Sequence, residues 1–230
     1  MDTETDTPAL QLTALEARIL GALIEKELTT PEYYPLTLNA LLAACCQKNN
    51  RAPIISLDDE TLARGIVTLQ DKGLLESFAG AGARALKYRE RLIARLSLAP
   101  DERAVLCELL LRGPQTSGEL RTRAARMHPF ATPEEVQATL DRLAARPGGP
   151  LVAELPRQAG QKETRVAHLL GDQPPSADLP QGAELAPPPA IAAARGESAR
   201  VAELEARVTA LEAELADLKA LFATFRSQFE

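Results

Sequence analysis

The strings "LTALEARILGALI" (12–24) and "LAPDERAVLCELL" (98–110) are the same pattern written twice. Leu12, Glu16, Ile19, Leu20, Leu23 and Ile24 fall on Leu98, Glu102, Val105, Leu106, Leu109 and Leu110 at a constant offset of 86, with helical apolar spacing. Farther on, Leu62, Ile66 and Leu69 fall on Val136, Leu140 and Leu143 at an offset of 74. Matched segments joined by connections of unequal length describe a tandem duplication of one small unit.

Each copy reads helix, helix, helix, strand, turn, strand. Thr13 with Glu16, Thr116 with Glu119 and Thr132 with Glu135 have capping-box spacing, and Pro133 takes the favoured first helical position. Ser56 with Asp59 is a weaker version of the same signal. "LLESF" from Leu74 and "ALKYR" from Ala85 flank the Gly-rich "AGAGAR", and "PLVAEL" and "TRVAHLL" flank "PRQAGQKE". These pairs predict hairpins. The fold class expected is mainly α with small β-hairpins (α+β), as two tandem winged-helix domains at 10–96 and 97–170.

Residues 171–198, "GDQPPSADLPQGAELAPPPAIAAARGES", hold too few large apolar groups to fold and predict a disordered Pro/Ala-rich linker. From 199 to 230 the apolar steps from Val201 to Phe229 alternate three and four, a heptad pattern. The flanking pairs Arg200/Glu205, Arg207/Glu212 and Glu214/Lys219 attract in a parallel pair of chains. They predict a C-terminal coiled-coil helix and a homodimer through Val201–Phe229. The alternative is that the same stripe packs on its own domains, which the Phe-rich end suits better.

"LTALEARILGALIEKELTTPEYYPLTLNALLAACCQKNNRAP" and "LLLRGPQTSGELRTRAARM" closely resemble the YceH-like family of uncharacterised bacterial proteins. The resemblance covers about residues 10–170 and implies two tandem winged-helix domains, without implying an activity. Cys46 stands where a polar Asn would be expected before Gln47 and Lys48. The tail beyond 170 lies outside the resemblance.

The net charge is −6, yet 84–126 carries ten Lys/Arg against five Asp/Glu, so a polyanion partner stays open. Candidate contacts to double-stranded DNA are Arg84, Lys87, Arg89 and Arg91 beside the Gly-rich tip, Lys48 and Arg51 in "CCQKNNR", and Arg123 and Arg126 after the Gly-Pro break. Against this, the outward faces of the third helices mix acids with a lone arginine: Glu60, Arg64, Val67, Thr68 and Asp71 in one copy, Glu134, Ala138, Asp141, Arg142 and Ala145 in the other. Such faces repel phosphate and suit a basic protein partner, so the expected function is either a weakly specific DNA-binding regulator or a protein-interaction adaptor.

Three cysteines form no disulfide framework, two histidines share no metal spacing, and no phosphate loop or catalytic constellation is visible. The expectation is no enzyme, no cofactor and no metal. Tyr33 and Tyr34 between two prolines are the one stretch that a ligand pocket could use. No signal peptide or membrane span is legible, so a cytoplasmic protein is expected.

Overall fold

The computed structural model describes residues 10–79, 85–157 and 163–171, all within one compact unit. The linker and heptad tail read from the sequence, apart from Gly171, lie outside the described residues.

In the first repeat α1 (Ala14–Thr29) leads through a 3-10 turn at Pro31–Tyr33 into β1 (Leu36–Thr37), α2 (Leu38–Cys45) and α3 (Asp59–Asp71). Then come β2 (Leu75–Ala79), β3 (Leu86–Glu90) and the short α4 (Leu92–Leu96). The second repeat holds α5 (Pro100–Arg112), α6 (Ser117–Ala124), α7 (Pro133–Ala144), β4 (Val152–Glu154) and β5 (Val166–His168). The class is α+β, helical with two small antiparallel sheets, ordered β1-β3-β2 and β4-β5. The second repeat keeps a trace of β1, because Gln115 bridges Val166 much as Leu36 pairs with Tyr88.

The helix starts follow their caps. Thr13 and Thr116 each accept from the N–H three residues on, and Glu16 and Glu119 accept from the cap N–H in return. Thr132 accepts from the Glu135 N–H, but the Glu135 carboxylate reaches the N–H of Ala131 instead. The cap of α3 is Asp58, which accepts from Thr61 N–H at 2.7 Å, and not Ser56. Asp58 stands directly before the first helical residue, where an aspartate satisfies a free N–H best.

Both third helices bury the stripes expected of them: Leu62, Ile66 and Leu69, and Val136, Leu140 and Leu143. The first helices behave differently. In α1 every residue from Glu16 to Glu25 is buried, and in α5 so is every residue from Ala104 to Leu111. The two helices lie against each other inside one core fed by both repeats. A Cβ on Gly21 would stand 2.9 Å from Leu111 Cγ and Cδ2, so only glycine permits this approach. The Cys107 thiol donates to the Gly21 carbonyl at 3.4 Å. Gly21 and Cys107 are matched positions of the two repeats, at the same offset of 86.

Glu90 closes β3 in a nearly buried position, its carboxylate accepting from Ile93 N–H at 2.9 Å at the start of α4. Burial pushes its carboxyl up to about 7, with the charge of Glu27 adding to the effect. The folded value lies above the ordinary 4.5, so the native state holds the extra proton between the two. Stability therefore falls as pH rises from about 4.5 to about 7, and the full cost is present above 7. Glu90→Gln keeps an oxygen for Ile93 N–H and should raise stability at pH 8 by up to about 3 kcal/mol in urea titration, with no gain near pH 4.5.

Candidate functional site

The polar chemistry of the molecule is concentrated where the repeats meet. Glu25 on α1 and Glu108 on α5 are fully buried, and arginines converge on both. Arg51 forks onto Glu25, with one contact at 3.0 Å. Arg126, just past α6, places Nη2 between the two acids, 2.5 Å from Glu25 Oε1 and 2.9 Å from Glu108 Oε1. Arg112 Nε lies 3.0 Å from Glu108 Oε2.

Burial works against the charge of Glu25, but the hydrogen bond and charge of Arg51, joined by Arg126, outweigh it and hold the carboxyl below its ordinary value. Arg126 shows the reciprocal result: desolvation opposes its charge, yet Glu108 and Glu25 raise it above the usual guanidinium value. Arg18 has no carboxylate on it. It donates to the carbonyls of Cys45 at 3.1 Å and Pro53 at 2.7 Å, and burial, aided by Arg51, pulls it down to about 10.

These contacts explain "CCQKNNR". Arg51 also donates to Ala44 O, so together with Arg18 it satisfies carbonyls at the C-terminal end of α2, where the helix dipole favours positive charge. Asn50 adopts φ 60 and its side chain accepts from Arg112, while Ala52 N–H caps the Leu111 carbonyl of α5 at 3.0 Å. The segment ties the two repeats together. Arg51, expected beside a groove as a DNA contact, is instead enclosed, with a side-chain exposure of 0%.

The other candidates fall into separate places. Arg123 is partly exposed and bonds Gln115 Oε1 at 2.8 Å and Glu119 at 3.2 Å. It shares with Arg126 the seam around Glu108, because Gln115 Nε2 donates to Glu108 O. Arg89 and Arg91 both pair with Glu76, and Arg89 also covers the Phe78 ring at 5.6 Å. Lys87 is half-buried in the central strand opposite Phe78 and Thr37. Lys48 is exposed. Arg84 lies outside the described residues.

Sequence reasoning missed Glu25, Arg18, Glu108 and Gln115. For Arg18, Glu25 and Glu108 a signal was available: they flank or interrupt the apolar runs 19–24 of α1 and 104–111 of α5, which cover every side of a helix and so must be buried with the charges next to them.

Tyr34 is not an open ligand anchor. Its hydroxyl accepts from Glu90 N–H at 2.9 Å, and burial raises its phenol well above the ordinary value. Tyr33 is 72% exposed. All three cysteines are free, and burial pushes Cys45 up to about 12 and Cys107 well above its usual value, which keeps both as unreactive thiols. Among the described residues no group of three or more His, Cys, Asp or Glu could hold a metal ion, and no helix is long and apolar enough to cross a membrane.

The family model "Protein of unknown function, DUF480" matches residues 12–161. The chain belongs to this family. It is 53% identical to a UPF0502 protein of Geotalea daltonii, over 95% of this chain and 98% of the relative. It is 51% identical to the UPF0502 protein GSU0233 of Geobacter sulfurreducens over 95% and 98%, and 54% identical to one from Opitutus terrae over 72% of each. The first two alignments run past the seam and into the heptad tail, so the likeness extends beyond residue 170.

Proposed function

We propose that the chain is a tandem winged-helix adaptor that binds a basic protein surface rather than reading DNA. The YceH-like resemblance and the helix-helix-helix-hairpin order in each repeat support the architecture. The observation that carries the function is the state of the third-helix faces. On α3, Glu60, Val67, Thr68 and Asp71 stand in solvent, with Val67 54% exposed, and the one cation there, Arg64, is paired with Glu60 at 2.5 Å. On α7, Glu134 and Asp141 are exposed while Arg142 turns back onto Asp101. With Arg64 neutralised by Glu60 and Arg142 drawn onto Asp101, the exposed Asp71, Glu134 and Asp141 leave these faces acidic, so they repel phosphate and attract lysines and arginines. Val67 gives that face an apolar centre.

A photo-crosslinking side chain at position 67 tests this in cells. The expected result is one dominant adduct with a basic protein, lost when Glu60→Lys and Asp71→Lys are added. No adduct, or an adduct indifferent to those charges, overturns the reading.

In the same proposal the heptad from Val201 to Phe229 dimerises a cytoplasmic protein. Leu211→Lys with Leu215→Lys should halve the mass of the full chain in sedimentation equilibrium, because two lysines in an a/d seam face each other across it. A wild-type chain that sediments as a monomer at high concentration contradicts this.

A further inference from the structure

We propose that the seam between the repeats is a binding site for a small phosphate-bearing ligand, held by Arg126, Arg123 and Arg112 with Lys48 at its rim. The inference does not depend on the adaptor reading.

The first argument is charge balance. Around the seam lie Arg51, Arg112, Arg123, Arg126 and Arg165, each paired with a carboxylate of the network. Their carboxylates are Glu25, Glu108 and Glu119. Five guanidiniums against three carboxylates leave a local excess of positive charge in a chain whose net charge is −6. A purely structural ion-pair cluster gains nothing from such an excess, since like charges held together destabilise the fold. Arg112 feels this directly: burial, and the neighbouring Arg123 and Arg126, lower its affinity for its proton.

The second argument is the donor inventory. A guanidinium carries five N–H donors on three nitrogens. Arg126 spends only Nη2, on both glutamates, and leaves Nε and Nη1 without a partner among the described residues. Arg112 uses Nη2 on Asn50 and buries Nε against Glu108 Oε2 at 3.0 Å, which leaves Nη1 without a partner among the described residues. Arg123 uses its two terminal nitrogens and leaves Nε. Unspent donors on guanidiniums fixed by carboxylates of the fold are preorganised for an oxyanion. The side chains of Arg112, Arg123 and Arg126 are 19–32% exposed, so solvent reaches them. Arg112 and Arg126 each touch residues of both repeats, which suits a compact phosphate group better than the flank of a duplex. Lys48 is exposed two residues before Asn50, whose side chain Arg112 holds.

Calorimetric titration of the full chain with tripolyphosphate, at ionic strength fixed with chloride, tests the site. The expected result is saturable binding of one anion per chain, weakened about tenfold or more by Arg126→Gln and by Arg123→Gln. Arg126→Gln also unpairs buried acids, so Arg123→Gln and Lys48→Gln, which touch no fully buried carboxylate, keep the test valid if that variant fails to fold. Parallel arms with inorganic phosphate, a mononucleotide and a short random duplex identify the source. Competition by the phosphate compounds with none from the duplex supports a small ligand. Absence of saturable binding, binding unchanged in Arg123→Gln, or displacement by micromolar duplex overturns the proposal.

Discussion

Arg51→Ala should lower the unfolding free energy by about 3–5 kcal/mol in urea titration, the cost of leaving a buried carboxylate with half its support. Glu25 keeps only Arg126, and the Ala44 carbonyl loses the Arg51 donors at the end of α2. Arg64→Ala is the control. Its pair with Glu60 is exposed, and its loss should cost less than about 0.5 kcal/mol. The two arginines are alike in sequence and differ only in where the fold puts them. Acid sharpens the comparison. The folded carboxyl of Glu25 lies below its ordinary 4.5, so its contribution is complete above that value and is lost as pH falls through the folded one. Arg51→Ala removes much of the cause, and the variant should lose less stability than the parent on acidification below about pH 4.5.

Gly21→Leu should cost about 3 kcal/mol or more, because the new side chain enters a contact already closed at its first carbon. The expected signature is a single cooperative transition shifted as a whole, reported equally by probes in the first and second repeats. The reason is that α1 and α5 are central to one shared core. If probes in the two repeats separate, each repeat holds itself together and the contact at Gly21 is incidental.

Much of this arrangement is legible in the sequence. The offset of 86 marks helices that meet at matched residues, and the stripes of α3 and α7 give their buried sides. Thr13, Thr116 and Thr132 mark helix starts because capping is local chemistry that needs no knowledge of the rest of the fold. Elements that depend on distant partners left no such trace. β1 is two residues long and exists because β3 offers it an edge, and α4 is a single turn of chain seated on Glu90.

The candidate site was read least well for the same reason. Arginine is written identically whether it faces phosphate or a buried glutamate, and Glu25 is 26 residues from Arg51 along the chain. The burst of positive charge at Arg121, Arg123 and Arg126 likewise finds partners within the fold. Arg121 bonds the Ala131 carbonyl, Arg123 bonds Gln115 and Glu119, and Arg126 bonds both seam acids. Only the position of the carboxylates separates a binding ridge from an internal brace.

Arg51, Arg89, Arg91, Arg123 and Arg126, which in the sequence suggest a DNA-binding protein, each pair with a carboxylate of the fold, while acidic third-helix faces stand in solvent. Fluorescence anisotropy of a short random duplex, titrated with the full chain at low salt, tests this most directly. The expected result is no saturable binding at micromolar protein. Micromolar binding that weakens steeply with added salt, as counterion release requires, would contradict it.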